Sequence, residues 1–362
     1  MRSVPKNTCW TQRMLAWYTA HRREMPWRGH ADPYAVWVSE IMLQQTRVET
    51  VRPYFLRFLE RFPSIHVLAS APTADVLKCW EGLGYYSRAR NLQSAACLLI
   101  ANHGGVLPHT AAGLATLPGI GPYTAAAIAS ICFGERVPVV DGNVARVFSR
   151  YLGLRDDFRK LPARRKLADW LQPQMAGIRV PGDFNQAMME LGALLCLPGK
   201  PACGQCPLAA TCHANRTSTQ GEFPVRPVRS TVPTRCGMAV VIQRRGRILL
   251  VQRQDKGLLG GFWELPGGEI TGRPGVQAAA RIVHSQTGLS VSKLQRKGEL
   301  IHVFSHFRLR LACYTCLQTT GKLRTAAKAG FCWASAADLA RLPVATAHRR
   351  ALLICGIAKG KA

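Results

Sequence analysis

Acidic residues are scarce in this 362-residue chain: 20 Asp and Glu stand against 48 Lys and Arg, leaving a formal charge of +28. Such an excess calls for a polyanionic partner, either a nucleic acid or an anionic membrane surface. No run of about 18 uninterrupted apolar residues occurs, which argues against membrane insertion. Met1 to Trp10 lacks the charged-then-apolar layout of a secretory signal, so a cytoplasmic protein is expected. A fixed-period repeat is also missing, and 48% hydrophobic residues exclude disorder and collagen. At roughly 150 residues per domain the length suits two domains with full cores and no disulfide staples. Thirteen cysteines are an odd number, and four crowd between Cys196 and Cys212. Without a signal, that crowding points to metal rather than disulfides.

Between positions 10 and about 196 the apolar residues recur at helical spacing, broken by Pro and Gly. Helices are expected over 11–24, 33–45, 47–62, 73–80, 87–103, 111–115, 123–133, 144–152, 160–172 and 183–196. Asp32 before Pro33 is a natural N-cap. Past Cys212 the texture changes. Positions 213–235, with Pro224, Pro227 and Pro233, read as an extended linker. Positions 238–243 and 248–253 form a hairpin pattern, 276–287 a helix and 307–317 an alternating strand. The expected organisation is a helical domain over 1–215, a Pro-rich linker over 216–233 and an α+β domain over 234–362.

Cys196, Cys203, Cys206 and Cys212 are separated by 6, 2 and 5 residues. Four thiolates suit zinc or an iron–sulfur cluster. With one Cys-x2-Cys pair and unequal gaps, a loop wrapped round a bulky cubane fits better than a zinc ribbon. Cys313 and Cys316, three apart on a strand, face opposite sides and read as ordinary thiols. Cys97 and Cys132 lie in apolar helical runs and read as packing residues.

Two carboxylates have the right surroundings for acid–base work. Glu40 has Val36, Trp37 and Leu43 at helical neighbour positions. An apolar face raises a carboxyl's pKa and lets it hold a proton near neutrality, unless the residue merely brushes the tryptophan at the surface. Asp141 precedes Gly142 and Asn143 and a helix. It reads as an N-cap and equally as an anion kept charged by the helix N-terminus. One neutral acid and one anion are what breaking an N-glycosidic bond requires: the acid neutralises the departing base, and the anion supports an oxocarbenium-like centre. Leu117-Pro118-Gly119-Ile120-Gly121-Pro122-Tyr123 joins two helical stretches, and Gly119 and Gly121 permit a tight turn that presents backbone N–H groups to a phosphate.

These segments, together with Trp37 to Thr46, Gly82 to Tyr86, Phe184 to Ala187 and the four cysteines, resemble the MutY adenine DNA glycosylases of the endonuclease III superfamily. The resemblance covers nearly the whole chain. It implies an all-α helix–hairpin–helix domain with a [4Fe–4S] loop, followed by an α+β Nudix-like domain. The implied activity is monofunctional: hydrolysis of the bond to adenine mispaired with 8-oxoguanine or guanine in double-stranded DNA. Glu40 would be the general acid and Asp141 the stabilising carboxylate, with Asn143 and Tyr123 beside them. Arg28 and Gln186 match contacts to the extruded adenine, while Gln45 and Tyr85 match residues that fill the duplex at the oxidised base. Tyr85 would act as the wedge, although Tyr85 and Tyr86 by themselves also suit core aromatics. Gly119 and Gly121 would hold DNA phosphate, and Cys196, Cys203, Cys206 and Cys212 the cluster. Where Tyr123 stands, strand-cutting members carry a lysine that forms a Schiff base, and tyrosine has no amine. A bacterial, nucleoid-associated monomer is implied.

Gly267, Arg281, Gly288 and Leu289 fall at the spacing of the Nudix box, yet Arg273, Ile282, Ser285 and Gln286 occupy the positions of its metal-binding acids. Pyrophosphate hydrolysis is therefore not expected. The resemblance makes this domain a reader of the oxidised base through Phe304-Ser305-His306, where Ser305 and His306 would hydrogen-bond the lesion. Two other readings compete: an endonuclease III-like lyase, opposed by Tyr123, and a non-catalytic iron–sulfur DNA-binding module, opposed by the two carboxylates.

Overall fold

A computed structural model describes residues 9–30, 32–225, 232–254, 257, 259–272, 274–304, 306–324 and 330–357. The chain divides into two compact units: residues 1–71 with 90–228, and residues 72–89 with 229–362.

The first unit is helical. Its elements are α1 (Trp10–His21), α2 (Pro33–Leu43), α3 (Val48–Arg61) and α4 (Ile65–Ser70). After α5 (Thr73–Cys79), which belongs to the second unit, come α6 (Ser87–His103), α7 (Ala111–Leu114), α8 (Pro122–Phe133), α9 (Gly142–Leu152), α10 (Leu161–Leu171), α11 (Pro181–Leu194) and α12 (His213–Arg216). Asp32 caps α2 by accepting from the Tyr34 N–H at 2.9 Å, and Pro33 supplies the first helical φ. Every residue from Tyr34 to Met42 is buried, so α2 is a central helix with no solvent face. α8, buried from Thr124 to Ser130, packs beside it. Its small side chains Ala126 and Ala127 pack against Val139. α1, α9 and α11 enclose a second core around Met14, Phe148, Phe184 and Leu191, against which the Trp10 ring packs.

The chain does not become extended at His213. α12 and a 3-10 turn at Gln220–Glu222 follow, and Phe223 is buried with its ring edge-on to His213. The reason is Arg150, a buried guanidinium that donates to the carbonyls of Gln220 and Phe223 at 3.0 and 3.1 Å. α4 is also unexpected. At six residues it is too short to show periodicity, and it starts on the Ser64 cap.

The second unit carries β1 (Thr234–Arg244), β2 (Arg247–Gln252), β3 (Trp263–Glu264), β4 (Gly267–Ile270), α13 (Val276–Thr287), β5 (Ser290–Val303), β6 (Arg308–Thr320), β7 (Phe331–Ala334), α14 (Ala336–Arg341) and α15 (Thr346–Ile354). The strands form one sheet in the order β3-β2-β1-β6-β5, with β4 added to β1 and β7 to β2. The expected hairpin forms across Arg245 and Gly246, whose φ angles of 51° and 71° suit a twisted two-residue turn. β1 runs parallel to β6. Alternation divides β1 between two cores: Met238, Val240 and Ile242 face α13, while Ala239 and Val241 face α15. Cys313 and Cys316 fall in opposite cores, as the strand period requires.

Candidate active site

Glu40, Tyr123, Asp141, Asn143, Arg28 and Gln186 line one cleft of about 430 Å³ in the first unit. That size suits a nucleobase with room to enter. Glu40 is only 5% exposed, because it is the one acid on an otherwise apolar buried helix. Burial lifts its carboxyl from the ordinary 4.5 to about 7; the Tyr123 hydroxyl and Arg28 oppose the rise, and Asp141 adds to it. Tyr123 donates to Glu40 Oε2 at 3.0 Å. Burial and the two carboxylates push the Tyr123 hydroxyl well above its usual range, so at neutral pH it keeps its proton and remains a donor.

Asp141 is both a cap and an ion site. Its Oδ1 accepts from the Val144 N–H at 2.7 Å and its Oδ2 from Asn143 Nδ2 at 3.0 Å. Burial pushes this carboxyl up, while those donors and the charge of Arg146 favour the anion. Asn143 is itself oriented, since its Oδ1 accepts from Arg146 at 2.9 Å.

On the opposite wall Arg28 Nε donates to Gln186 Oε1 at 3.0 Å. What fixes Arg28 is Glu190, a buried residue with no local signal in the sequence to single it out. Arg28 reaches it at 3.2 Å and Arg23 grips it through two bonds, at 2.8 and 3.0 Å. Burial works against that charge, but the hydrogen bonds from Arg23 and Arg28 outweigh it and hold Glu190 down at about 2. The partners lie more than 150 positions apart, so no local pattern announces them.

Gln45 sits in an adjoining groove with Gly121 and Tyr123. Its φ is 59°, a left-handed conformation that glutamine rarely adopts. In the hairpin before α8, Gly119 has φ 80° and a Cβ there would lie 2.6 Å from Asn91 Cβ, so glycine is required. Gly121 differs from the tight-turn expectation. It has φ −85° as the N-cap of α8, and a Cβ there would meet open space. Its smallness leaves room in front of the helix N-terminus.

The four cysteines line a single cavity between α9, α11 and α12. Arg150 donates to Cys196 Sγ at 3.3 Å and to the Leu197 carbonyl at 2.7 Å, and Gln220 approaches Cys203 Sγ at 3.8 Å. Burial pushes the Cys206 thiol up to about 12, with Cys196, Cys212 and Cys203 adding to the rise; a bound cationic centre would favour the thiolate instead. Among the described residues, no group of three His, Cys, Asp or Glu side chains is placed to hold a single metal ion.

In the second unit Tyr85, Tyr86, His302, Phe304 and His306 line a separate cleft of about 580 Å³. The two tyrosines part company: Tyr86 is buried, whereas Tyr85 is 42% exposed with φ 47°. Ser305 and Arg273 lie outside the described residues. Gln286, at a position where the Nudix box places an acid, accepts from the Gly267 N–H at 2.9 Å. Gly267 cannot be replaced, because a Cβ would lie 2.1 Å from the Met238 carbonyl oxygen.

Residues 38–173 match the family described as HhH-GPD superfamily base excision DNA repair protein, and residues 237–353 match the NUDIX domain. The adenine DNA glycosylase of Rattus norvegicus is 37% identical, over 85% of this chain and 70% of that protein. The Mus musculus enzyme of the same name is 35% identical, over 95% and 77%. Among solved structures, a thermostable thymine-DNA glycosylase superposes with a TM-score of 0.53 at 27% identity, covering 57% of this chain and 95% of its own. A trapped endonuclease III–DNA covalent intermediate shares the fold, with a TM-score of 0.50 at 24% identity over 57% and 94%.

Proposed function

The chain belongs to the adenine DNA glycosylases, and from that premise we propose that it excises adenine paired with 8-oxoguanine, or with guanine, from duplex DNA as a monofunctional monomer of the bacterial cytoplasm and nucleoid. The observation that carries the reading is that a proton-holding Glu40 and the capped Asp141 share one cleft with Tyr123.

The extruded adenine enters that cleft between Arg28 and Gln186. Glu40 gives its proton to N7, so the base departs neutral as the bond from C1′ to N9 breaks. The Asp141 anion faces the positive charge that develops on the sugar. Water then adds to C1′ and returns a proton to Glu40, restoring the starting state. Tyr123 supports the Glu40 carboxylate when the proton is away, and having no amine it forms no Schiff base. Gly119 and Gly121 grip a phosphate, Gln45 and Tyr85 fill the space left by the extruded base, and Ser305 and His306 read the oxidised partner.

Cys196, Cys203, Cys206 and Cys212 would hold a [4Fe–4S] cluster, to which a donor set of four thiols lining one cavity is suited. Bound there, it supplies metal–thiolate bonds that close the loop after α11. Arg150 and Gln220 orient two of the sulfurs.

The test is a labelled duplex carrying A:8-oxoguanine, incubated with the protein and analysed with and without alkali. Strand breakage only after alkali is expected. Breakage without it would favour a lyase, and none in either lane would remove the enzymatic reading.

A further inference from the structure

We propose that Arg349, on α15, is a positioning residue for Tyr85, so that the C-terminal helix sets the stance of the wedge; this rests on the reading of Tyr85 given above.

Tyr85 holds a left-handed backbone conformation and is 42% exposed, with the Arg88 guanidinium 5.6 Å over its ring, an arrangement that persists only on a rigid base. Part of the base is local. The Arg88 guanidinium donates to the carbonyls of Leu83 and Gly84 at 3.2 and 3.0 Å, and Trp80 Nε1 donates to Gly84 at 3.2 Å. Those bonds make residues 80–88 one stiff piece, which the buried Trp80 and Leu83 help to seat. Two further anchors flank Tyr85. On one side the Tyr86 ring packs on the buried Phe262 with centroids 4.1 Å apart. On the other, Arg349 forms a two-armed ion pair with Glu81: Nε meets Oε1, and Nη2 reaches Oε2 at 3.3 Å. Arg349 also donates to the Leu342 carbonyl at 2.9 Å, which fixes its own direction. With the Glu81 anchor lost, the segment keeps its buried contacts but loses its tie to α15, and the stance of Tyr85 is expected to shift. Lys78 still reaches Glu81 Oε2 at 2.7 Å, so removing Arg349 does not strand the Glu81 charge.

The experiment uses the full chain, with Arg349→Ala, Arg349→Lys and Glu81→Gln beside the unaltered protein. Single-turnover adenine release is measured on an A:8-oxoguanine duplex, and wedge insertion by the fluorescence of 2-aminopurine placed next to the 8-oxoguanine. Release by the unaltered protein tests the functional reading on its own. Arg349→Ala is expected to slow release about tenfold and to blunt the fluorescence rise, with the melting temperature little changed. Glu81→Gln is expected to behave likewise, and Arg349→Lys to recover part of both signals, since lysine offers one arm of the pair. If Arg349→Ala fails to fold, Glu81→Gln decides alone. Unchanged release and fluorescence in the informative variants would overturn the proposal, as would slowed release with a normal fluorescence rise.

Discussion

Replacing Glu40 by glutamine is expected to cripple catalysis and to strengthen the fold, the latter by an amount that depends on pH. Burial on α2 moves this carboxyl from 4.5 to about 7. That displacement corresponds to about 3 kcal/mol in favour of the neutral form. Below pH 4.5 the group is protonated in folded and unfolded chains alike and the difference vanishes. Between 4.5 and 7 the unfolded chain gives up a proton that the folded chain keeps, so stability falls as pH rises. Above 7 the folded protein bears the full cost of a buried anion. Glutamine keeps the acceptor that Tyr123 needs and carries no charge. Glu40→Gln is therefore expected to be more stable than the unaltered protein by up to about 3 kcal/mol at pH 8 and almost equal to it near pH 4.5. Urea unfolding at the two pH values, followed through the helical signal, measures the difference. An equal effect at both values, or a loss of stability at pH 8, would show that Glu40 is not held neutral by desolvation.

Tyr123→Phe removes the hydrogen bond that favours the Glu40 carboxylate, so the alkaline fall in single-turnover rate is expected to move upward by about one pH unit. A limb that stays in place or moves down would deny the bond its role. Arg150→Met takes the guanidinium donor from the carbonyls of Leu197, Gln220 and the buried Phe223; a loss of about 2 kcal/mol is expected, with faster loss of the proposed cluster's iron and visible absorption, and an unchanged melt would refute it. With a formal charge of +28, duplex affinity is expected to fall linearly on a log–log plot against salt; titrations insensitive to salt would contradict phosphate gripping.

Local chemistry was legible in the sequence and distant pairing was not. The Asp32-Pro33 start of α2, the turn at Arg245-Gly246 and the apolar period of α13 follow from caps, turn residues and spacing, and the structure keeps them. Glu40 was legible as an acid among apolar neighbours, because those neighbours stand beside it on one helix. Glu190 was not. Its partners Arg23 and Arg28 come from a loop far back in the chain, and a charged residue on a helix has no local mark of burial. Arg150 escaped for the same reason, and with it the folding of the segment after Cys212. The long hairpin of β5 and β6 was half seen: the β6 alternation is clear, whereas β5 is polar along much of its length and owes its place to pairing with β6. That residues 72–89 belong with the C-terminal unit is a matter of tertiary packing, since their own pattern reads as more of the helical domain.

Release of free adenine from an A:8-oxoguanine duplex under single-turnover conditions, alongside binding of the same duplex, probes the pairing of Glu40 with Asp141 most directly. Glu40→Gln and Asp141→Asn are each predicted to bind the duplex while base release falls by a factor on the order of 100 to 10,000. Release at an undiminished rate by either variant would contradict the division of labour between a neutral acid and a capped anion.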